Sequence, residues 1–378
     1  MHARLGLLLV LFLWHGLVAA APTVVPPPVA ARSYALVDAL SGQTLAAAGE
    51  SEPVEPASLT KLMTAYVAFE AIRDGQLALD GPVSVSVQAT QAPGARMFLS
   101  PGQSATLAQL LRGMIVLSAN DAAVAVAEAV ATTEPAFVER MNARARHMGL
   151  RGTRFVNCTG EPVPGHLSTA RDLAAIAVAI LRDFPQHYPF YAQREVVWNG
   201  MKQANRNRLL WIDSAVDGLQ AGFTEASGYG LAASARRGER RLVSVVVGVQ
   251  SDSLRISETQ KLLNFGFQSW ETRRLYRRGQ RVASPPVYKG TSDTVKLGFD
   301  RDVWLTLPRE RFDALKAVLE TRQPFVAPLA AGEKAGIMKL TRDGAPMAEL
   351  PVVVLEDVPV AGFLSRGWDT LKLLFITP

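Results

Sequence analysis

Ser58-Leu59-Thr60-Lys61 is the one Ser-x-x-Lys in a chain of 378 residues. A serine and a lysine three positions apart on a helix share a face, so the ammonium can sit beside the hydroxyl. Burial disfavours the charged amine, and a neutral lysine can take the serine proton. Working outward, Glu55-Pro56-Ala57 precedes a run from Ser58 to Ile72 in which Leu59, Met63, Tyr66, Val67 and Phe69 recur at helical spacing. Pro56 marks a helix start and leaves free backbone N–H groups near the serine. Taken alone, the pattern also fits a solvated helix face, so its meaning depends on its companions.

The first companion is Ser118-Ala119-Asn120, the one Ser-x-Asn in the chain. It falls between helical runs at 107–118 and 120–131, with Asn120 or Asp121 suited to cap the second. A turn there can face a cleft, where the hydroxyl relays a proton and the amide holds a substrate carbonyl. Further helices are expected at 135–148, 170–181 and 257–265. Strands are expected within 33–48, turning at Ser41-Gly42, and at 229–235 and 241–249, joined by the charged turn 236–240. Strands at both ends with helices between predict one α/β domain whose sheet unites the two ends.

Composition excludes several classes. A net charge of +6 without a long Lys/Arg run or aromatic–basic interleaving argues against nucleic-acid binding. No His-Glu-x-x-His, Cys-x-x-Cys, Gly-x-Ser-x-Gly or glycine-rich phosphate loop occurs, so neither a metal nor an organic cofactor is implied. Cys158 is the single cysteine and, among apolar neighbours, reads as an inert buried thiol. Residues 1–20, with His2 and Arg4 ahead of an apolar run to Val18 and small residues after it, read as a cleaved export signal. The main domain is expected over 21–274 and a small β-rich domain over 275–357, where short alternating segments dominate. Residues 358–378 form an amphipathic helix with Leu364, Trp368, Leu371 and Phe375 on one face. That helix is too short and too charged to span a bilayer, and is expected to lie in the membrane interface.

Pro56-Ala57-Ser58-Leu59-Thr60-Lys61-Leu62-Met63-Thr64 followed by Leu117-Ser118-Ala119-Asn120-Asp121-Ala122 resembles the low-molecular-mass penicillin-binding proteins, specifically the D-alanyl-D-alanine carboxypeptidases. Asn205-Arg206-Asn207 and Ser168-Thr169-Ala170-Arg171-Asp172-Leu173 extend the likeness, as do the β-rich segment and the amphipathic tail. The resemblance implies a β-lactamase/transpeptidase-like α/β domain, an antiparallel sheet with a helical cluster, located at the periplasmic face of the inner membrane. It implies Ser58 as the acylated nucleophile, Lys61 as general base, Ser118 as proton relay and Asn120 as the residue orienting substrate. Peptidoglycan pentapeptides are the implied substrates, and β-lactams the implied acylating inhibitors.

One departure stands out. The family's third motif, Lys-Thr-Gly, is replaced by Gln220-Ala221-Gly222, which removes the lysine and hydroxyl that help bind the terminal carboxylate. Gln250 stands where the resemblance leads us to expect an assisting arginine. Gly222 still permits close approach, and the N–H groups of Ser58 and Phe223 remain for an oxyanion hole. Three readings follow: a carboxypeptidase with altered carboxylate recognition, a catalytically impaired peptidoglycan-binding homologue, or a β-lactamase with Glu161 as its deacylating carboxylate. The residues around Glu161 do not match a β-lactamase loop, and the intact acylation residues favour the first reading.

Overall fold

The computed structural model describes residues 24–309 and 311–373; the expected leader lies outside them. Strand β1 (Ser33–Asp38) turns back into β2 (Thr44–Ala48). A 3₁₀ turn, Ala57–Thr60, then feeds helix α1 (Lys61–Arg73). The helical cluster continues with α2 (Leu107–Val116), α3 (Asn120–Ala131), α4 (Glu134–His147) and α5 (Ala170–Asp183). Local chemistry sets these starts. Thr106 and Gln109 form a reciprocal capping box on α2, and Thr169 caps α5 by accepting from the Asp172 N–H.

The chain then returns to the sheet through β3 (Val216–Gly218), β4 (Ala221–Thr224), β5 (Gly228–Arg237) and β6 (Arg240–Val249), and closes with α6 (Asp252–Ser269). The antiparallel order is β2-β1-β6-β5, with β3 and β4 following one another along the free edge of β5. β1 pairs with β6, Ser33 opposite Val247, so the sheet does unite the two ends of the domain. Alternation along β6 explains the layers. Val243, Val245 and Val247 join the core under the helical cluster, whereas Leu242 and Val246 pack with Ile256, Leu262 and Leu263 of α6 on the other face.

Beyond α6, β7 (Trp270–Tyr276) begins a β-rich region. Strands β8 (Arg281–Ala283), β9 (Leu297–Gly298), β10 (Val303–Pro308), β11 (Leu315–Thr321), β12 (Lys334–Arg342) and β13 (Ala345–Val354) follow. The sheet order is β8-β9-β13-β12-β11, with β7 paired to β10 beside it over a core that includes Val295, Leu297, Leu340 and Val352. The junction with the first domain is polar. Thr272 Oγ1 donates to Asp38 Oδ2 at 2.6 Å, and Arg240 Nε reaches the same oxygen at 3.1 Å. The last helix, α7 (Phe363–Leu373), leaves Phe363 and Trp368 largely exposed. Phe375 lies outside the described residues. Among the described residues, no helix is long and apolar enough to cross a membrane.

Candidate active site

Ser58 sits in the 3₁₀ turn, not in an α-helix starting at Ser58 as the periodicity suggests. Residues three apart eclipse in such a turn, and Lys61 Nζ lies 3.1 Å from Ser58 Oγ. Lys61 is wholly buried. Burial pulls its pKa down to about 7, opposed by charge on Cys158 and Glu161. The Cys158 thiol is itself pushed well up by burial, so near neutral pH Glu161 is the acid that acts on the amine. Nζ also donates to the Thr159 carbonyl at 2.6 Å. This contact holds the amine so that its lone pair can face the serine.

The loop that brings Thr159 is built from one side chain and one glycine. Asn157 Oδ1 accepts from the N–H groups of Thr159 and Gly160, and its Nδ2 donates to the Glu161 carbonyl at 2.8 Å. Gly160, at φ +89°, packs directly on the Ala57–Ser58 peptide: an ideal Cβ there would lie 1.8 Å from the Ala57 carbonyl oxygen. Asn-x-Thr-Gly is an Asx-turn signature, and sequence reasoning missed this use of it.

Ser118 joins α2 to α3 in the left-handed region, φ +61°, and Ala57 before Ser58 is left-handed too, at +48°. Both serines of the cleft therefore depend on backbone conformations that L residues adopt at a cost of roughly 1–2 kcal/mol. Asn120 is the first residue of α3, but it does not cap that helix; Ala119 holds the cap position without a side-chain bond. Instead Asn120 Nδ2 donates both hydrogens, to the Pro93 carbonyl at 2.6 Å and to Glu161 Oε1 at 2.7 Å. Asn120 Oδ1 is buried and unpartnered. Asp121 is no cap in the expected sense either, since its carboxylate accepts from the Met97 and Leu99 N–H groups.

The third wall is the free sheet edge. Gln220 lies between β3 and β4, its backbone paired both ways with Ala232 at 3.0 and 2.9 Å. Gln220 and Gly222, two apart, share a face turned towards the serines. Gln220 Nε2 donates to Ser118 Oγ at 3.2 Å, while its Oε1 is buried with no partner. An ideal Cβ at Gly222 would lie 3.2 Å from the Ser58 nitrogen, so glycine allows the edge to meet the nucleophile's turn. Ala221 turns to the opposite core. Phe223 is half-exposed at the rim, its ring 4.3 Å from that of Tyr229.

Gln250 is exposed at the end of β6, and among the described residues no hydrogen bond ties it to Ser58, Ser118, Gln220 or Gly222. The buried cation here is Arg255, one turn into α6. Its Nη1 donates to the carbonyls of Gly222 and Gly230 at 3.0 and 3.1 Å, and its Nη2 pairs with Asp252 Oδ1 at 2.5 Å. Arg255 is thus engaged by the strand edge and by Asp252. A second arginine, Arg206, stands exposed with its Nε 3.5 Å from the Leu117 carbonyl. Arg255 escaped the sequence reading because α6 was expected to start at Ser257. Ser251, whose hydroxyl accepts from the Leu254 N–H, is the cap that moves the start back to Asp252.

A sheet backed by helices, with a buried lysine against a serine and a second serine across the cleft, defines the penicillin-binding protein fold. Comparison narrows this. A family described as D-alanyl-D-alanine carboxypeptidase matches residues 20–251, and one described as penicillin-binding protein 5, C-terminal domain, matches 270–360. The chain is 40% identical over 364 residues to the D-alanyl-D-alanine carboxypeptidase DacA of Escherichia coli (strain K12), covering 93% of this chain and 90% of that one. It is 34% identical to DacF of Bacillus subtilis (strain 168), covering 89% and 87%. Penicillin binding protein 5 from Haemophilus influenzae superposes with a TM-score of 0.84 at 37% identity, covering 89% of this chain and all of that one. Penicillin-binding protein D2 from Listeria monocytogenes, in its ampicillin-bound form, superposes with a TM-score of 0.59 at 26% identity, covering 66% of this chain. The chain belongs to the D-alanyl-D-alanine carboxypeptidase family.

Proposed function

We propose that the protein is a serine-type D-Ala-D-Ala carboxypeptidase that removes the terminal residue of peptidoglycan stem peptides through an acyl-enzyme on Ser58. Neutral Lys61 takes the Ser58 proton as Oγ attacks the penultimate D-Ala carbonyl. The N–H groups of Ser58 and Phe223 receive the developing oxyanion. Ser118 passes a proton to the leaving nitrogen as the C–N bond breaks, and water then cleaves the ester to restore Ser58. Asn120 orients the acyl part, and Gln220, Ala221 and Gly222 form the strand along which the substrate lies. The observation that carries this reading is the buried Lys61 amine, 3.1 Å from Ser58 Oγ with its pKa near 7, which makes it a base of the right strength. β-Lactams acylate the same oxygen.

The test pairs fluorescent-penicillin labelling, with Ser58→Ala as control, and D-Ala release from a pentapeptide. Label on Ser58 together with release supports the reading, and the absence of both overturns it. Label without release from any stem peptide favours the impaired, peptidoglycan-binding homologue. Residues 1–20 act as the export signal, and α7 holds the enzyme on the periplasmic face of the inner membrane. The exposed Phe363 and Trp368 support that placement. Deletion of residues 358–378 is expected to move the protein from the membrane to the soluble fraction.

A further inference from the structure

Glu161 places in the cleft a carboxylate that the bond-making steps do not use. Its Oε1 accepts from Asn120 Nδ2 at 2.7 Å. Its Oε2 has no hydrogen bond among the described residues, and the half-buried side chain leaves that oxygen in reach of solvent. No lysine or arginine among the described residues forms an ion pair with Glu161. Lys61 feels its charge but commits its amine to Ser58 and the Thr159 carbonyl. A carboxylate that has lost part of its hydration and gained no cation is one that a ligand's donor would complete.

The carboxylate is held in place. Asn157 Nδ2 donates to the Glu161 carbonyl at 2.8 Å, and the Glu161 N–H donates to Thr159 Oγ1 at 3.3 Å. Asn120 gives its other amide hydrogen to the Pro93 carbonyl at 2.6 Å. An ideal Cβ at Gly94 would lie 2.7 Å from Glu161 Oε1 and 2.8 Å from Asn120 Nδ2, so glycine lets the chain close over the pair. What Asn120 orients directly is therefore Glu161, and through it the acyl part.

Two hydrogen-bonded pairs mark the ends of the cleft, Gln220 with Ser118 and Asn120 with Glu161. Ser118 passes its proton to the leaving residue, so the acyl part runs towards Asn120 and Glu161. The acylated D-Ala has only a methyl side chain. The nearest side chain that can carry a cation there belongs to the residue before it.

We propose that Glu161 selects stem peptides in which the residue before the D-Ala pair carries a free side-chain amine. The inference rests on the reading of Ser58 as the acylated nucleophile and names the substrate class for it. The ammonium, on its flexible aliphatic stem, donates to Glu161 Oε2 while Oε1 stays on Asn120. A stem whose amine has been acylated by cross-linking brings no charge and leaves Oε2 unpartnered. The enzyme therefore trims stems not yet cross-linked through that amine.

The experiment uses the purified full chain and two peptides that differ at one nitrogen, N-acyl-L-Lys-D-Ala-D-Ala with a free ε-amine and its Nε-acetyl form. D-Ala release gives kcat/KM for each at about pH 8, where the substrate amine is protonated and Lys61 is largely neutral. Penicillin labelling of Ser58 is run in parallel. The wild type is expected to prefer the free amine by about fivefold, the scale of a partly screened ion pair. The gain should lie mainly in KM, because the ammonium is charged in ground and transition states alike. Glu161→Gln is expected to erase the preference and Glu161→Asp to keep part of it. Any change in Lys61 acts on both peptides, so the ratio reads recognition alone. Equal kcat/KM values in the wild type, a preference for the acetylated peptide, or a preference unmoved by Glu161→Gln would overturn the inference, as would labelling without turnover of either peptide. Absence of both labelling and turnover would instead overturn the acyl-enzyme reading beneath it.

Discussion

The two halves of the cleft are built on opposite terms. Around Ser58 and Lys61 the polar groups have partners: the amine has the serine and the Thr159 carbonyl, and Asn157 ties down the loop that brings Thr159. Around Ser118, Asn120 and Gln220, two amide oxygens are buried without partners, and Arg255, behind Gly222, is already paired with Asp252. The first half needs no ligand to be satisfied, as suits a group that must be reactive before substrate arrives. The second half is incomplete until something donates to it. Bond-making and recognition are therefore separable here, and each can be altered while the other is measured.

The largest expected effect lies in the first half. Lys61→Ala should lower the rate of penicillin acylation by about 10²–10⁴-fold, the usual worth of a positioned general base, and stopped-time labelling of Ser58 reads it directly. A loss as small as tenfold would mean that another group takes the serine proton. Gly160→Ala should come next. Its Cβ has no room against the Ala57 carbonyl, so the loop must retreat and carry the Thr159 carbonyl away from Lys61. Displacement on the ångström scale costs about 10²-fold in acylation. Labelling at the wild-type rate would show that the Thr159 contact does not orient the amine.

The pH dependence links the halves through Glu161. With Lys61 as the proposed base, its neutral form is the reactive one, and its pKa is drawn down to about 7, so acylation should rise with pH and level off above about 7. Glu161 is the charge that holds the lysine pKa up against burial, and it also occupies Asn120. Glu161→Gln removes that charge, so the inflection should move to lower pH. A pH profile of labelling that is unmoved in the variant would show that the carboxylate does not reach the amine electrostatically. It would break the one electrostatic connection between the two halves.

How far the sequence could foresee this arrangement follows from the same division. Periodicity and turn residues located β1 and β2, the β5–β6 hairpin and the helices because those patterns are local. Ser58, Lys61, Ser118 and Asn120 were legible because they fall in short motifs at helix starts. The Thr159 carbonyl was not, since a backbone oxygen carries no residue signature. Nor was the Asn120–Glu161 contact, which joins residues 41 positions apart. Nor was the bond from Arg255 to the Gly222 carbonyl, since the cap at Ser251 that starts α6 at Asp252 lies ahead of the helix that periodicity locates. Motifs report which groups are present, whereas satisfaction of their hydrogen bonds appears only when distant loops are seen together.

The smallest expected effect probes Arg255, the buried cation behind Gly222. Arg255 is buried, and burial pulls its pKa down from the ordinary guanidinium value, with Asp252 opposing that shift. Asp252 is about one-third exposed and also pairs with Arg208 at 3.2 Å, so its hold on Arg255 is partly screened. Asp252→Asn keeps the shape and hydrogen-bonding capacity while removing the negative charge, leaving the Arg255 charge less offset behind Gly222. Turnover of an acyl-D-Ala-D-Ala acid should then rise by about two- to fivefold, the scale of a screened ion pair. The rise should appear mainly as a lower KM, because the carboxylate is charged in ground and transition states alike. Turnover of the matching acyl-D-Ala-D-alaninamide should stay level, since its C-terminus carries no charge for the arginine to feel. Equal gains on both substrates would mean that Asp252 acts by loosening α6 rather than through the charge on Arg255.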